Sequence, residues 1–163
     1  FADRMKTPSA PVRGRKRVGS LLRTLSALEA SGETSLARAV DDLLVRRPRP
    51  GLVAVISDFL DPAGFARPID RLIAERHEPV LFHVVHNEEL DPTPGGDLLL
   101  VDSERGREVE VSLDARSLRA YRARVRAFLE ELATFAKRRG IFCGRVSTDS
   151  DFTDVLLRYL RAA

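Results

Sequence analysis

The sequence predicts an α/β fold, a three-layer, doubly wound and mostly parallel sheet covered by helices. Three short apolar runs between turn residues have the length and composition of buried strands: residues 52–56, 79–85 and 141–146. Strands buried on both faces occur in parallel sheets whose two faces are covered by helices. The segments between these runs carry apolar residues at helical spacing, so that helices and strands alternate along the chain.

The part of the chain before the first run is predicted to be mostly helical. At most a short edge strand is expected near residues 5–7, and leucines at helical spacing predict a helix over about residues 17–30. Thr34 begins a second helix, which ends before Pro48 because the residue preceding a proline disfavours the helical conformation.

A helix, a strand and a hairpin are expected after the first run. Asp61 is a good N-cap and Pro62 a good first helical residue, so the next helix is predicted to begin there. The second strand then leads into a polar loop over residues 86–92. Two alternating segments, 97–101 and 107–111, predict an inserted β-hairpin.

The longest predicted element is a helix over about residues 114–139, which Gly140 ends as a C-cap. Its apolar positions form one stripe expected to pack on the sheet: Leu118, Tyr121, Val125, Phe128, Leu132 and Phe135. A last helix is predicted from Asp149 or Ser150 to Leu160.

Length and composition indicate one soluble domain over residues 1–163. The net charge of +3, from 27 basic and 24 acidic residues, does not by itself indicate a nucleic-acid partner. The single cysteine, Cys143, excludes a disulfide within the chain and a cysteine metal cluster. No apolar run approaches the ~18 residues of a membrane span, so a reducing cytoplasm is the expected location.

Two residues are the strongest candidates for a site. Asp58 follows the first strand at its carboxyl end, where open α/β sheets place ligands, and Asp61 is expected to supply the nearby cap in its place. Thr34 alone would be an ordinary N-cap, but the start of its helix is expected at the same edge of the sheet. Hydroxyl and carboxylate oxygens suit Mg²⁺, so Thr34 and Asp58 are the predicted metal ligands.

Other polar residues favour structural interpretations. His77, His83 and His86 show no ligand spacing on a helix, and Cys143 lies in a buried strand, so packing is expected for all four. The basic run at residues 13–17 could contact phosphate, but no interleaved aromatics support base stacking. A solvated loop is the interpretation that we favour for it.

Residues 32–40, followed by a strand that ends in Ser57-Asp58, resemble the second half of a von Willebrand factor A domain. Such domains show Gly-x-Thr-x-Leu-x-x-Ala and then a strand ending in (Ser/Thr)-Asp. The sequence more closely resembles a bacterial branch, a domain of unknown function usually encoded beside MoxR-type AAA+ ATPases. The matching positions are Phe1 to Arg4, Arg13 to Arg15, Ile56 to Phe59, Arg76-His77, Glu89-Leu90 and Val146 to Asp149.

This resemblance implies a Rossmann-type fold and a magnesium site like the metal-ion-dependent adhesion site. Thr34 would be the second-loop ligand and Asp58 the third-loop carboxylate. The family's first loop, Asp-x-Ser-x-Ser, is absent from the sequence. The resemblance therefore implies a partial domain that lacks its first strand and metal-binding loop. Phe59 also stands where the family usually has a glycine.

The expected function is that of a non-enzymatic protein–protein interaction module. The resemblance implies a metal-dependent adaptor or co-chaperone of a MoxR-type AAA+ ATPase, in which a partner's carboxylate completes the coordination of Mg²⁺. One alternative is a metal-dependent phosphohydrolase that uses Asp58 with Asp61 and His86. A weaker alternative is nucleic-acid binding through Arg13 to Arg17, which requires an affinity that falls steeply with salt.

Overall fold

The computed structural model describes residues 18–27, 34–92, 97–101, 108–112 and 114–149. Its helices are α1 (Val18–Ser26), α2 (Leu36–Val45), α3 (Ala66–Ala74), α4 (Asn87–Leu90) and α5 (Ala115–Arg139). Its strands are β1 (Leu52–Ser57), β2 (Glu78–Val85), β3 (Asp97–Val101), β4 (Glu108–Ser112) and β5 (Cys143–Ser147). The described part is therefore a mixed α/β structure, as the alternating pattern predicts.

Three of the strands form a parallel sheet in the order β1-β2-β5. Val55 pairs with Leu81, and Leu81 pairs with Cys143, so these three residues lie on one face. The central strand β2 is buried over most of its length, as expected for a strand covered on both sides. The strands β3 and β4 form a separate antiparallel pair, the hairpin that the sequence predicts.

The first strand departs from the prediction that it is buried on both faces. Val55 is 5% exposed, whereas Leu52 is 58% and Ile56 56% exposed. Within the described ranges β1 pairs only with β2, so it lies at the edge of the sheet there. One of its faces packs on helices and the other is open, which is why its burial alternates along the strand.

The main core lies between the sheet and the helices α2, α3 and α5. Phe65 is at its centre, because its ring makes edge-to-face contacts with Phe59, Phe128 and Phe135 at centroid distances of 5.9, 6.2 and 5.2 Å. The buried residues of this cluster are Leu36, Val40, Val55, Phe59, Phe65, Ile69, Leu72, Leu81, Leu132 and Phe135. A smaller cluster on the opposite face contains Val80, Phe82 and Val146.

The helix after β1 begins later than predicted. Pro62 and Ala63 form a turn, closed by a hydrogen bond from the Gly64 amide to the Asp61 carbonyl at 2.8 Å. Helix α3 starts only at Ala66, so the prediction that Asp61 caps it is wrong. The loop predicted over residues 86–92 contains the short helix α4.

Helix α5 has the predicted bounds because both of its ends are capped locally. The Asp114 carboxylate accepts a hydrogen bond from the Ser117 amide at 2.6 Å, and Gly140 adopts a left-handed φ of 65°. Its apolar stripe is buried at the two ends, at Leu118 and at Leu132 and Phe135. In the middle Val125 and Phe128 are half-buried and Tyr121 is exposed, so the prediction of one continuous core stripe is only partly right. The middle of the helix faces a cavity instead.

Some predictions lie outside the described residues: the edge strand near residues 5–7, the basic run at 13–17 and the last helix. No helix within the described ranges combines the length and the apolar character that a membrane crossing needs.

Candidate functional site

The candidate site is built on the loop that follows β1. Phe59 has a positive φ of 58° and is 2% exposed, so the chain turns sharply around a buried ring. Asp58 and Leu60, its two neighbours, are consequently exposed at the carboxyl end of the sheet, Leu60 at 64%. At this φ a residue with a Cβ atom is strained, whereas glycine would adopt the same conformation without a steric cost.

Two local hydrogen bonds fix this turn. The Ser57 hydroxyl accepts a hydrogen bond from the Phe59 amide at 3.0 Å, and Asp58 Oδ1 accepts one from the Leu60 amide at 3.0 Å. Asp58 therefore has a structural role, contrary to the expectation that it has none. Within the described residues its hydrogen bonds involve Oδ1, so that Oδ2 is the oxygen available to a ligand.

Asp61 connects this loop to the start of α2. Its Oδ2 accepts a hydrogen bond from the Leu36 amide at 2.7 Å, and its Oδ1 accepts one from the Ala63 amide at 2.8 Å. The N-cap of α2 is Ser35 rather than Thr34. Thr34 and Asp58 thus lie on two loops that Asp61 joins at the carboxyl end of the sheet.

The donors at this edge suit Mg²⁺ in kind. Thr34, Ser57 and Asp58 offer oxygen atoms only, which this hard cation prefers. The described part of the chain contains no group of three or more histidine, cysteine, aspartate and glutamate side chains that could hold a metal ion. In proteins Mg²⁺ commonly keeps several waters beside few protein ligands.

His83 lies on β2 beneath this loop. It is 5% exposed, and its ring lies 6.2 Å from that of Phe59 and 5.8 Å from that of Phe128, measured between centroids. Burial lowers the pKa of His83, and Arg145 lowers it further, while Asp58 and Glu89 oppose the shift. The imidazole is therefore neutral at neutral pH and packs against the aromatic rings of the core.

His86 has a different environment. Its Nδ1 accepts a hydrogen bond from the Glu88 amide at 3.3 Å, and Glu89 completes the capping box of α4 through the His86 amide. The Nε2 atom lies 3.7 Å from Asp149 Oδ1, on the turn after β5. His86 thus lies beside Asp149, which is distant in sequence, while Asp61 is engaged at the start of α2.

An apolar cavity of about 400 Å³ lies beside Asp58. It opens between the ends of β1 and β2, helix α4 and the middle of α5. Its lining residues are Asp58, Leu60, His83, Val85, Glu89, Leu90, Tyr121, Arg124, Val125, Phe128 and Leu129. Sequence reasoning missed this cavity, although an apolar stripe that faces a loop containing Leu60 and Leu90 was a signal for it.

The wall formed by α4 is fastened to α5. The Tyr121 hydroxyl donates a hydrogen bond to the Glu89 carbonyl at 2.6 Å, and Arg122 Nε donates one to Asp91 Oδ1 at 2.7 Å. Burial raises the pKa of Tyr121, and Glu89 raises it further, so the phenol stays protonated as a donor. The cavity is therefore formed before any ligand binds.

Cys143 does not belong to this site. Burial raises the pKa of its thiol, and Arg145 opposes the shift only in part. The thiol is therefore kept protonated, in line with the expectation that it packs as a small apolar side chain.

Comparison with known proteins identifies relatives of this chain. An uncharacterized protein of Mycobacterium tuberculosis is 37% identical over 124 residues, which cover 69% of this chain and 38% of that protein. A Mycobacterium bovis protein matches equally. An uncharacterized protein of Mycobacterium avium is 30% identical over 154 residues, covering 91% of this chain and 89% of that protein. The chain thus spans little more than a third of the first relatives and most of the last. No solved structure matches it significantly.

The family profile described as "Protein of unknown function DUF58" matches residues 1–131. These residues include α1 to α4, β1 to β4 and the part of α5 that lines the cavity. The loop at Asp58 and all of the residues that line the cavity therefore lie in the region that matches the profile, and the chain belongs to the DUF58 family of proteins of unknown function.

Proposed function

We propose that the chain is a non-enzymatic protein–protein interaction module of von Willebrand factor A type, acting in the cytoplasm as an adaptor or co-chaperone of a MoxR-type AAA+ ATPase. One observation carries the proposal: the exposed carboxylate of Asp58 is presented at the carboxyl edge of a parallel sheet, directly beside an apolar cavity. A charged group next to a preformed apolar recess suits recognition of a protein segment. The resemblance of residues 32–40 and Ser57-Asp58 to a metal-ion-dependent adhesion site supports the same surface.

The residues that would hold Mg²⁺ are Thr34 and Asp58. Mg²⁺ held there would leave a coordination position open for a carboxylate of the partner. The chain's own contribution is to fix the ligand. The Leu60 amide orients Asp58 through Oδ1, and the buried ring of Phe59 holds the turn, so that Oδ2 points away from this hydrogen bond.

The roles of the neighbouring polar residues favour binding over catalysis. Asp61 uses both carboxylate oxygens to accept backbone amides. His86 caps α4 and lies beside Asp149, and His83 is kept neutral among aromatic rings. The residues that a phosphohydrolase at Asp58 would need are thus engaged in structural contacts.

Binding to the MoxR-type ATPase of the same organism tests the proposal. The chain, its Asp58→Ala variant and its Glu75→Ala variant would be compared in pull-downs with Mg²⁺ and with EDTA. Glu75 is an exposed carboxylate just before β2, at the opposite edge of the sheet, and serves as the matched control. We expect Asp58→Ala and EDTA to abolish capture while Glu75→Ala leaves it unchanged. Capture that persists in Asp58→Ala would place the interface elsewhere.

A further inference from the structure

We infer that the cavity beside Asp58 is a docking site for a large apolar side chain on a partner segment that also carries acidic residues. This inference rests on the proposed protein-binding function and names the chemistry of the partner. The cavity lies between the turn at Leu60 and the face of α5 that contains Val125 and Leu129.

The apolar surface around this cavity is larger than the fold itself uses. The stripe of α5 is buried at Leu118 and again at Leu132, but its middle remains half-buried at Val125. Leu60 and Tyr121 at the rim are 64% and 39% exposed. Because an enclosed cavity of about 150 Å³ already admits benzene, the 400 Å³ here accommodates a phenylalanine or leucine side chain.

The positive charge of α5 favours acidic residues in the rest of the partner segment. Arginine recurs at short spacing along the first half of this helix, at Arg116, Arg119, Arg122, Arg124 and Arg126. Like charges three or four residues apart destabilise a helix, and cations near its N-terminus oppose the helix dipole. Among the described residues, Arg122 is the only one of these five arginines in an ion pair, which it forms with Asp91. An acidic partner would turn this local cost into binding energy.

The opposite charges on the two sides of the cavity orient the bound segment. Arg124 stands on the α5 side, whereas Asp58 and Glu89 stand on the opposite side. Carboxylates of the segment are therefore favoured along α5, and the apolar side chain enters the cavity between the walls. Since Tyr121 already fastens α4 to α5, the site needs little rearrangement to bind.

The test is an NMR titration of the 163-residue chain with three synthetic dodecapeptides that differ only in four central residues. One contains Leu-Phe-Asp-Glu, the second Ser-Ser-Asp-Glu and the third Leu-Phe-Lys-Lys. We expect only the first peptide to shift the amide signals of Leu60, Val125 and Leu129. Equal shifts with all three peptides, or none with the first, would overturn the inference.

Four variants sharpen the test. Leu129→Trp fills the cavity, and Arg124→Glu reverses the charge at its rim. Each should lower the affinity for the first peptide at least tenfold. Ala123→Trp, on an exposed position of the same helix, and Arg46→Glu, at the far end of α2, are controls of equal size and charge that should bind normally. Arg124→Glu is a surface change that leaves the core intact, so it stands as the test if Leu129→Trp fails to fold.

The ATPase assay separates this inference from the proposed function. If Leu129→Trp and Arg124→Glu still bind the ATPase while Asp58→Ala does not, the cavity is not the docking site and the proposed function stands. If the variants no longer bind the peptide but the unaltered chain shows no affinity for the ATPase, the docking site is supported. The proposal that the partner is this ATPase is then wrong.

Discussion

Replacing Phe59 separates its two properties, a buried ring and a positive φ. The residue is 2% exposed and its ring packs against Phe65 and His83, so Phe59→Ala should cost about 3–5 kcal/mol of unfolding free energy. At a φ of 58° the backbone conformation costs a residue with a Cβ atom about 1–2 kcal/mol, a cost that is absent for glycine. Phe59→Gly should therefore be more stable than Phe59→Ala by about 1 kcal/mol, although it removes one more carbon atom.

Urea unfolding followed by circular dichroism measures this difference in free energy. In a thermal melt of a domain of this size, 1 kcal/mol corresponds to a shift of about 2–4 °C in Tm. Phe135 is the matched control, because it is buried in the same core but lies within helix α5. There the order should reverse, with glycine about 1 kcal/mol less stable than alanine. If glycine is the less stable replacement at Phe59 as well, the left-handed turn before Leu60 is wrong.

Three further predictions concern the core and the loops. Val55→Thr should cost about 1–3 kcal/mol because it buries a hydroxyl, whereas Ile56→Thr on the open face should cost less than about 1 kcal/mol; equal losses in urea unfolding would contradict the edge position of β1. Since the pKa of His83 is lowered from its ordinary value of 6.5, the unfolded chain binds the proton more tightly, and stability should fall as the pH drops below about 6.5. His83→Phe should reduce this loss between pH 7 and pH 5, and an unchanged pH dependence would argue against a buried neutral imidazole. Asp61→Ala should cost about 1–2 kcal/mol and speed hydrogen exchange at the Leu36 amide, which would be unaffected if Asp61 did not cap α2.

The sequence predicts best those features that depend on neighbouring residues. The bounds of α5 follow from Asp114 and Gly140, which cap the helix to which they are attached. The strands β1 and β2 follow from apolar composition and from the turn residues beside them. In each case the physical cause lies within a few residues of its effect, so the pattern is visible without tertiary structure.

Features that depend on distant contacts were predicted poorly. Composition alone does not distinguish a central strand from an edge strand, so the exposure of Ile56 was missed. Asp61 caps a helix 25 residues earlier in the chain, although its sequence neighbours predict a local cap. His86 lies beside Asp149, which is far away in sequence, and the cavity requires α4 and α5 to meet. Each of these facts is set by the tertiary arrangement.

The central claim is that the charge of Asp58 binds the partner, and Asp58→Asn tests it most directly. Asparagine can still accept the hydrogen bond from the Leu60 amide through its side-chain oxygen, so the turn is kept and the negative charge is lost. Isothermal titration calorimetry would compare this variant with the unaltered chain, each titrated with the MoxR-type ATPase in Mg²⁺. We predict at least a tenfold weaker affinity for Asp58→Asn, with unchanged circular dichroism. An affinity within twofold of the unaltered chain would contradict the claim.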